Sequence, residues 1–438
     1  MSAPTIWLTT LGCAKNQVDS EKLVALLAEA GYAAASAPEQ ADVVMVNTCA
    51  FIEEARRESV DAICELEQVK RPGARTVVLG CMAQRFGVEV GEALPEVDLV
   101  LGLDRYGELI PSLDRLTGWR PVTWRRPVMD ILYTVRRARP SLPYAYVKVA
   151  EGCDKPCTFC AIPLIRGKQR SRPAGNIAGE IAELTASGVS EVVLVAQDLA
   201  AYGRDLSEEG GLVELIHRVG ATPGLRRLRL LYLYPREIRP ELIAEMTSNP
   251  VVAPYFDLSL QHSSPRLLRA MKRAGGGEAY LALIASIREA NPEAALRSSF
   301  IVGFPGETED EVEELAEFLA EVRLDWAGFF PYSAEEGTPA ALLPGRSAPQ
   351  EVSERVRYLQ ATQEELTTQA ALAQVGRQLT VVVDQVEEGV AVARSYREAP
   401  EIDGVINLDR GRSGEWLEVE VTGAYGAELA ARVVGTAP

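Results

Sequence analysis

Nine short apolar runs, separated by stretches of helical periodicity, restrict this chain to a parallel α/β framework over most of its length. Three lie upstream, at Thr5–Leu11, Val43–Asn47 and Val77–Gly80, and six follow at Tyr144–Val149, Glu191–Ala196, Arg227–Tyr232, Tyr255–Leu260, Leu296–Val302 and Trp326–Pro331. Between them apolar residues recur at helical spacing. Val18, Leu23, Leu26 and Leu27 form one face that stops near Gly31; Phe51, Ala55, Val60 and Ile63 form another; Ile177–Ser187 and Glu309–Val322 read alike. Alternating strands and helices give parallel sheets. The first set predicts a small N-terminal parallel α/β domain, and the second an open (β/α)6 barrel. At 438 residues the chain is also too long for one ordinary core.

A third unit follows the helical segment Glu351–Gln374. Thr380–Val383, Gly389–Ser395, Gly404–Asn407, Trp416–Val421 and Arg432–Val434 are short strands parted by Gly, Asp and Pro turns, the pattern of a small antiparallel β-barrel of OB type. Such barrels bind RNA through basic grooves and stacking aromatics. Here six arginines (377, 394, 397, 410, 412, 432) face eleven carboxylates (384, 387, 388, 398, 401, 403, 409, 415, 418, 420, 428), a balance that repels phosphate and favours a basic protein. The whole chain agrees, with 45 basic and 62 acidic residues and a net charge of −17. Trp119–Pro143, with Arg120, Arg125, Arg126, Arg136, Arg137, Arg139 and several prolines, reads as a linker whose arginines are solvated. The expected divisions are 1–118, 119–143, 144–370 and 371–438.

Chemistry is concentrated in the cysteines. Cys153, Cys157 and Cys160 stand at C-x3-C-x2-C, a spacing that holds one iron–sulfur cube by three thiolates and leaves its fourth iron open. Structural zinc would need a matching ligand pair, and only two isolated histidines, His217 and His262, exist. Cys13, Cys49 and Cys81 each follow one of the upstream strands. In a parallel sheet the loops at the carboxyl ends gather along one edge, so these three, 36 and 32 residues apart, are expected to meet as a second thiolate triplet. The alternative is three buried packing cysteines, the role assigned to Cys64 beside Ile63 and Leu66. Seven cysteines without a signal peptide or an apolar run of membrane length lead us to expect a reducing, cytoplasmic setting without membrane contact.

The polar residues that end the barrel strands are Gln197-Asp198, Tyr234, Gln261-His262 and Gly303, the positions from which a barrel site is built. His262 reads equally as a ligand contact or a hydrogen-bonded structural residue.

The cysteine loop resembles that of the radical S-adenosylmethionine (SAM) superfamily, in which the amino and carboxylate groups of SAM occupy the open iron and reductive cleavage yields a 5′-deoxyadenosyl radical. Ser298 to Thr308 resembles the strand and turn that lie against adenosine there, with Gly303 allowing close approach of the backbone. The order of the three units resembles the radical SAM methylthiotransferase family, whose last unit is called TRAM. Leu11-Gly12-Cys13-Ala14-Lys15-Asn16, Asn47-Thr48-Cys49, Gly80-Cys81-Met82-Ala83-Gln84-Arg85 and Gln197-Asp198 are similar to the branch that modifies ribosomal protein uS12. Relatives that act on tRNA usually carry Asn where Asp154 and Asp198 stand.

The resemblance implies two [4Fe–4S] clusters, one on Cys13, Cys49 and Cys81 and the other on Cys153, Cys157 and Cys160, with SAM bordered by Gln197, Ser299 and Gly303. It also implies a methylthio group attached to the β-carbon of an aspartate in uS12, free or within the ribosome, at the cost of two SAM molecules per product. The low-potential electron donor would be of flavodoxin or ferredoxin type, and no tRNA partner is expected. Two alternatives remain open at this point: methylthiolation of a tRNA adenosine, and a non-catalytic RNA-binding iron–sulfur protein.

Overall fold

The computed structural model describes residues 3–119, 131–137, 140–206 and 211–437. The N-terminal sheet contains β1 (Thr5–Thr10), β2 (Ala33–Ala34), β3 (Val43–Thr48), β4 (Arg75–Leu79) and β5 (Leu99–Leu101) in the order β2-β1-β3-β4-β5, with every pairing parallel. β3 lies at the centre and is buried along its whole length, as its unbroken apolar run requires. Helix α1 (Ala14–Glu29) packs Leu23, Leu26 and Leu27 on one face of this sheet. Helices α2 (Glu53–Val69) and α3 (Gly80–Ala93) cover the other. The buried side of α2 is Ser59, Ile63 and Leu66; Phe51 precedes the helix and Val60 turns outward, 41% and 36% exposed. Cys64, one position round the helix from Ile63, is half-buried at the margin of that face rather than inside the core.

Six strands then form the open (β/α)6 barrel. Around the cysteine loop, β7 (Ala150–Glu151) and β8 (Arg170–Ser171) make a two-residue antiparallel clasp between β6 (Tyr144–Lys148) and β9 (Glu191–Val195). β6, β9 and β10 (Arg227–Leu230) form one parallel sheet, and β11 (Tyr255–Gln261), β12 (Ala295–Val302) and β13 (Trp326–Pro331) form another. The two halves meet through parallel bridges at Leu228↔Val252 and Leu233↔Leu258. The main core lies between these strands and their helices. Glu309–Val322 is typical: Thr308 and Glu311 close its start as a reciprocal capping box, while Val312, Leu315, Phe318 and Leu319 face inward.

The C-terminal strands β14 (Gln378–Glu387), β15 (Val390–Arg394), β16 (Ile406–Leu408), β17 (Trp416–Tyr425) and β18 (Glu428–Thr436) close into a barrel in the order β14-β15-β16-β18-β17. Its pairings are antiparallel except β16–β18, which is parallel. A ring of five strands cannot alternate in direction all the way round, so one parallel pair is unavoidable.

This barrel sits against the N-terminal ends of the (β/α)6 strands. Glu191, the first residue of β9, is fully buried among Arg229 (3.0 Å), Arg394 (3.1 Å) and Arg227 (3.4 Å). The loop after β15 continues the contact. Tyr144 and Tyr146 hydroxyls reach Glu401 at 2.9 and 3.3 Å, Tyr255 donates to Asp403 at 2.6 Å, and Ala399 joins the apolar plug of Tyr144, Tyr146, Val193 and Leu231. Asp384, Glu398, Asp403, Arg394 and Arg397 are therefore committed to internal partners and do not belong to the outer charge of this unit. In the connecting segment, the Arg120, Arg125, Arg126 and Arg139 expectations lie outside the described residues. Arg136 is exposed, but Arg137 is buried against Glu21 and Glu180 instead of solvated.

Candidate active site

The three upstream cysteines do meet at the carboxyl edge of the N-terminal sheet. Gly12 adopts φ +89°, and a Cβ placed on it would stand 2.9 Å from Cys49 Sγ, so glycine is required by the approach of the two turns. Asn16, in the first turn of α1, ties the turns together. Its Nδ2 donates to the carbonyls of Leu11 (2.9 Å) and Thr48 (3.0 Å), and its Oδ1 faces Cys81 Sγ at 3.7 Å. Asn47 Nδ2 donates back to the Asn16 carbonyl at 3.0 Å. Ser59 is buried because its hydroxyl accepts the Cys49 N–H at 3.1 Å. Burial pushes the Cys49 thiol up to about 12 and raises Cys81 as well. For Cys13, burial also acts upward, but Lys15, Arg166 and two backbone amides outweigh it and hold the thiol below its usual value.

The second triplet lies on the loop clasped by β7 and β8. Gly152 has φ +76°, and a Cβ there would fall 2.2 Å from the Lys168 carbonyl oxygen. The Cys153 N–H donates to Gly167 O (3.1 Å) and the Thr158 N–H to Met271 O (3.1 Å), which pins both ends of the loop. N–H groups approach the sulfurs: the Lys155 amide lies 3.5 Å from Cys153 Sγ, and Arg273 Nη1 3.5 Å from Cys157 Sγ. Burial lifts Cys153 to about 11 and Cys160 to about 12.

At the ends of the barrel strands the proposed SAM contacts differ in placement. Gln197 Nε2 donates to Glu151 at 3.3 Å, while its Oε1 is buried without a hydrogen bond. Both Asp198 oxygens are likewise buried without hydrogen bonds, although Lys155 Nζ is 3.4 Å away. Along β12, Ser299 shares with Arg297 and Ile301 the half-buried side of the strand; Ser298, Phe300 and Val302 are buried. At Gly303 the close approach is to protein: a Cβ would lie 2.5 Å from Val352, and its N–H donates to Glu307 at 2.8 Å. His262 is structural in character. Its Nδ1 accepts the Ser264 N–H at 3.0 Å, and its Nε2 faces Glu307 at 3.4 Å with no exposed surface.

Sequence reasoning missed the residues that join the two triplets. Lys15 Nζ stands 3.3 Å over the ring of Tyr232, which follows β10 with φ +64°. Arg56 and Arg85 both reach Glu335 beyond β13. Between the sites, Asp19, Lys148, Glu151 and Arg166 form one buried ion network. Burial alone would raise the Glu151 carboxyl, but Arg166 and Lys148 hold it well below the usual range. Glu151 adjoins the cysteine loop in sequence, whereas the other three carry no local signature.

The residues present fit the groups implied for them. Two triplets of thiols, each with N–H donors aimed at sulfur, form a donor set for iron–sulfur clusters, and the orphaned oxygens of Gln197 and Asp198 suit a polar ligand beside the loop. Among the described residues no three His, Cys, Asp or Glu side chains close round a single ion, and a cube with separated irons does not ask them to. No helix among them is long and apolar enough to cross a membrane.

Comparison with known proteins agrees with this architecture. Residues 5–102 match Uncharacterized protein family UPF0004, 147–319 the radical SAM superfamily and 375–434 the TRAM domain. A ribosomal protein uS12 methylthiotransferase RimO of Kineococcus radiotolerans is 41% identical over 98% of this chain and 96% of its own length. The protein of the same name from Moorella thermoacetica is 44% identical over 95% and 96%. A solved radical SAM methyltransferase, TsrM from Kitasatospora setae, shares the fold at 14% identity, with a TM-score of 0.54 over 89% of this chain and 80% of that one. With identity at this level along nearly its full length, the chain belongs to the uS12 methylthiotransferase family of radical SAM enzymes.

Proposed function

We propose that this enzyme attaches a methylthio group to the β-carbon of an aspartate in ribosomal protein uS12, using SAM and two [4Fe–4S] clusters. The observation that carries the reading is that one buried side chain, Arg166, reaches both Cys81 of the upstream triplet and Glu151, two residues before Cys153 of the other. Cys153, Cys157 and Cys160 would hold the cluster that binds SAM, and Cys13, Cys49 and Cys81 the auxiliary one. Bound there, these groups supply one-electron chemistry for an unactivated C–H bond and sulfur for transfer.

The chain's own contribution is placement. Gln197, Ser299 and the turn at Gly303 would border SAM, with the Asp198 carboxylate at its polar end. Lys155 and Arg273 direct N–H groups at the sulfurs of Cys153 and Cys157. The C-terminal unit closes the far end of the barrel, so water is excluded from that side. A substrate held beside both triplets would have sulfur close to the carbon that must receive it. A flavodoxin or ferredoxin would deliver electrons.

The test is anaerobic reconstitution with SAM, reductant and uS12, followed by mass spectrometry of uS12 peptides. An aspartate peptide heavier by one methylthio group in place of hydrogen is expected. SAM cleavage without that product, together with methylthiolated adenosine when tRNA is supplied, would reassign the substrate.

A further inference from the structure

Arg166 leaves the short helix Ile162–Arg166, which follows Cys160, and ends beside a sulfur of the other triplet. Its guanidinium is used on two sides. Nη1 donates to Glu151 Oε1 at 2.7 Å and lies 3.4 Å from Asp19 Oδ2; Nη2 donates to Asn16 Oδ1 at 2.6 Å and lies 3.4 Å from Cys81 Sγ. Asn16 cannot swing away, because its Nδ2 is held by the carbonyls of Leu11 and Thr48. The fork is therefore locked at both ends, an arrangement a planar guanidinium supports and a single ammonium does not.

Charge points the same way. Asp19 and Glu151 balance Lys148 and Arg166 before any thiolate is counted. Ionising Cys13, Cys49 and Cys81 adds negative charge on one side of this network, and Arg166 faces it directly. An N–H donor and a positive charge at a cluster sulfur favour the reduced, more negative state.

We propose that Arg166 is a positioning residue that ties Cys81 of the upstream triplet to Glu151 at the edge of the cysteine loop and raises the reduction potential of a cluster held by Cys13, Cys49 and Cys81. The proposal rests on the reading that Cys81 is a cluster ligand.

The test uses the full chain carrying Cys153, Cys157 and Cys160 changed to Ala, so that one cluster remains, and follows its reduction by electron paramagnetic resonance at controlled potential. Arg166→Lys keeps a positive charge opposite Asp19 and Glu151 but loses the second arm of the fork. It should retain iron, and at a fixed potential its ratio of reduced to oxidised cluster should fall about tenfold, about 59 mV for a one-electron couple. Iron retained with an unchanged potential overturns the proposal, since a purely structural arginine would not move it. A second measurement needs no variant at Arg166: labelling arginine with nitrogen-15 should give a weak nitrogen hyperfine coupling to the reduced cluster, and its absence also overturns the proposal. Cys81→Ala in the same background checks the underlying reading separately. Loss of the remaining iron upholds it, whereas full iron content removes Cys81 as a ligand whatever Arg166 does.

Discussion

At the scale of single residues, the cysteines are held by side chains and turns that leave little room for change. Gly152 shows this most sharply, because two effects coincide there: a left-handed φ of +76° and a carbonyl oxygen 2.2 Å from where a Cβ would lie. The conformation alone costs a residue with a side chain roughly 1–2 kcal/mol, and the clash must also push Lys168 away from the clasp. Gly152→Ala should therefore lower iron at the barrel triplet and reduce SAM cleavage, while leaving the auxiliary cluster in place. Iron analysis and product chromatography after reduction check this. Cys64 stands at the other extreme. It is half-buried and lies outside both triplets, so Cys64→Ser should change stability by no more than about 0.5 kcal/mol, the usual range for surface substitutions, and keep full iron content.

At the scale of elements, each triplet is built from a different kind of support. One comes from three separate βα turns of a parallel sheet, the other from a single clasped loop. They should therefore be separable. Changing Cys153, Cys157 and Cys160 to Ala is expected to halve the iron and abolish SAM cleavage. Changing Cys13, Cys49 and Cys81 to Ala should also halve the iron but leave reductive SAM cleavage measurable, with methylthio transfer lost. If the second variant, still folded by circular dichroism, lost all its iron, the two elements would be folding as one.

At the scale of the molecule, the C-terminal barrel is a floor for the radical SAM barrel as well as an outer module. Glu191 anchors it: burial pushes its carboxyl up, but Arg394, Arg229 and Arg227 prevail and bring it down to about 2. Leaving those arginines unpaired by Glu191→Gln should cost about 3–5 kcal/mol near neutrality. A depressed carboxylate contributes fully above its unfolded value of about 4.3, and the contribution is lost as pH falls through the folded value. The stability gap between wild type and Glu191→Gln should thus narrow as pH falls from about 5 towards 2, by something on the order of 3 kcal/mol, in urea unfolding of the iron-free chain. A gap that stays constant would remove Glu191 from the acid response.

Recognition by charge then falls to the outward carboxylates. Glu387 and Glu388, at the exposed turn between β14 and β15, are free of the floor contact. Reversing both to Lys should weaken uS12 binding at low salt, and the wild-type affinity should itself decline with salt because exposed charges are screened beyond about 10 Å at 0.1 M. Equal binding by the reversed protein would leave recognition to the mouth of the barrel.

The local rules of the chain already determined the longer parallel strands, though not the short β2 and β5, as well as the helix faced by Leu23, Leu26 and Leu27 and the placement of the six cysteines of the two triplets after a strand or on a loop. Those features depend on period and turn chemistry within about ten residues, which a sequence displays directly. Tertiary structure alone decided what the charges do. Arg166 and Cys81 are 85 residues apart, and Glu191 and Arg394 are 203 apart. Arg137 looked like a solvated linker residue until Glu21 and Glu180 enclosed it. A charged side chain reads the same in a sequence whether it meets water or a partner, and burial with an opposite charge is settled only when distant segments pack. The same holds for Gly303, whose local pattern does not show that Val352 packs against its turn.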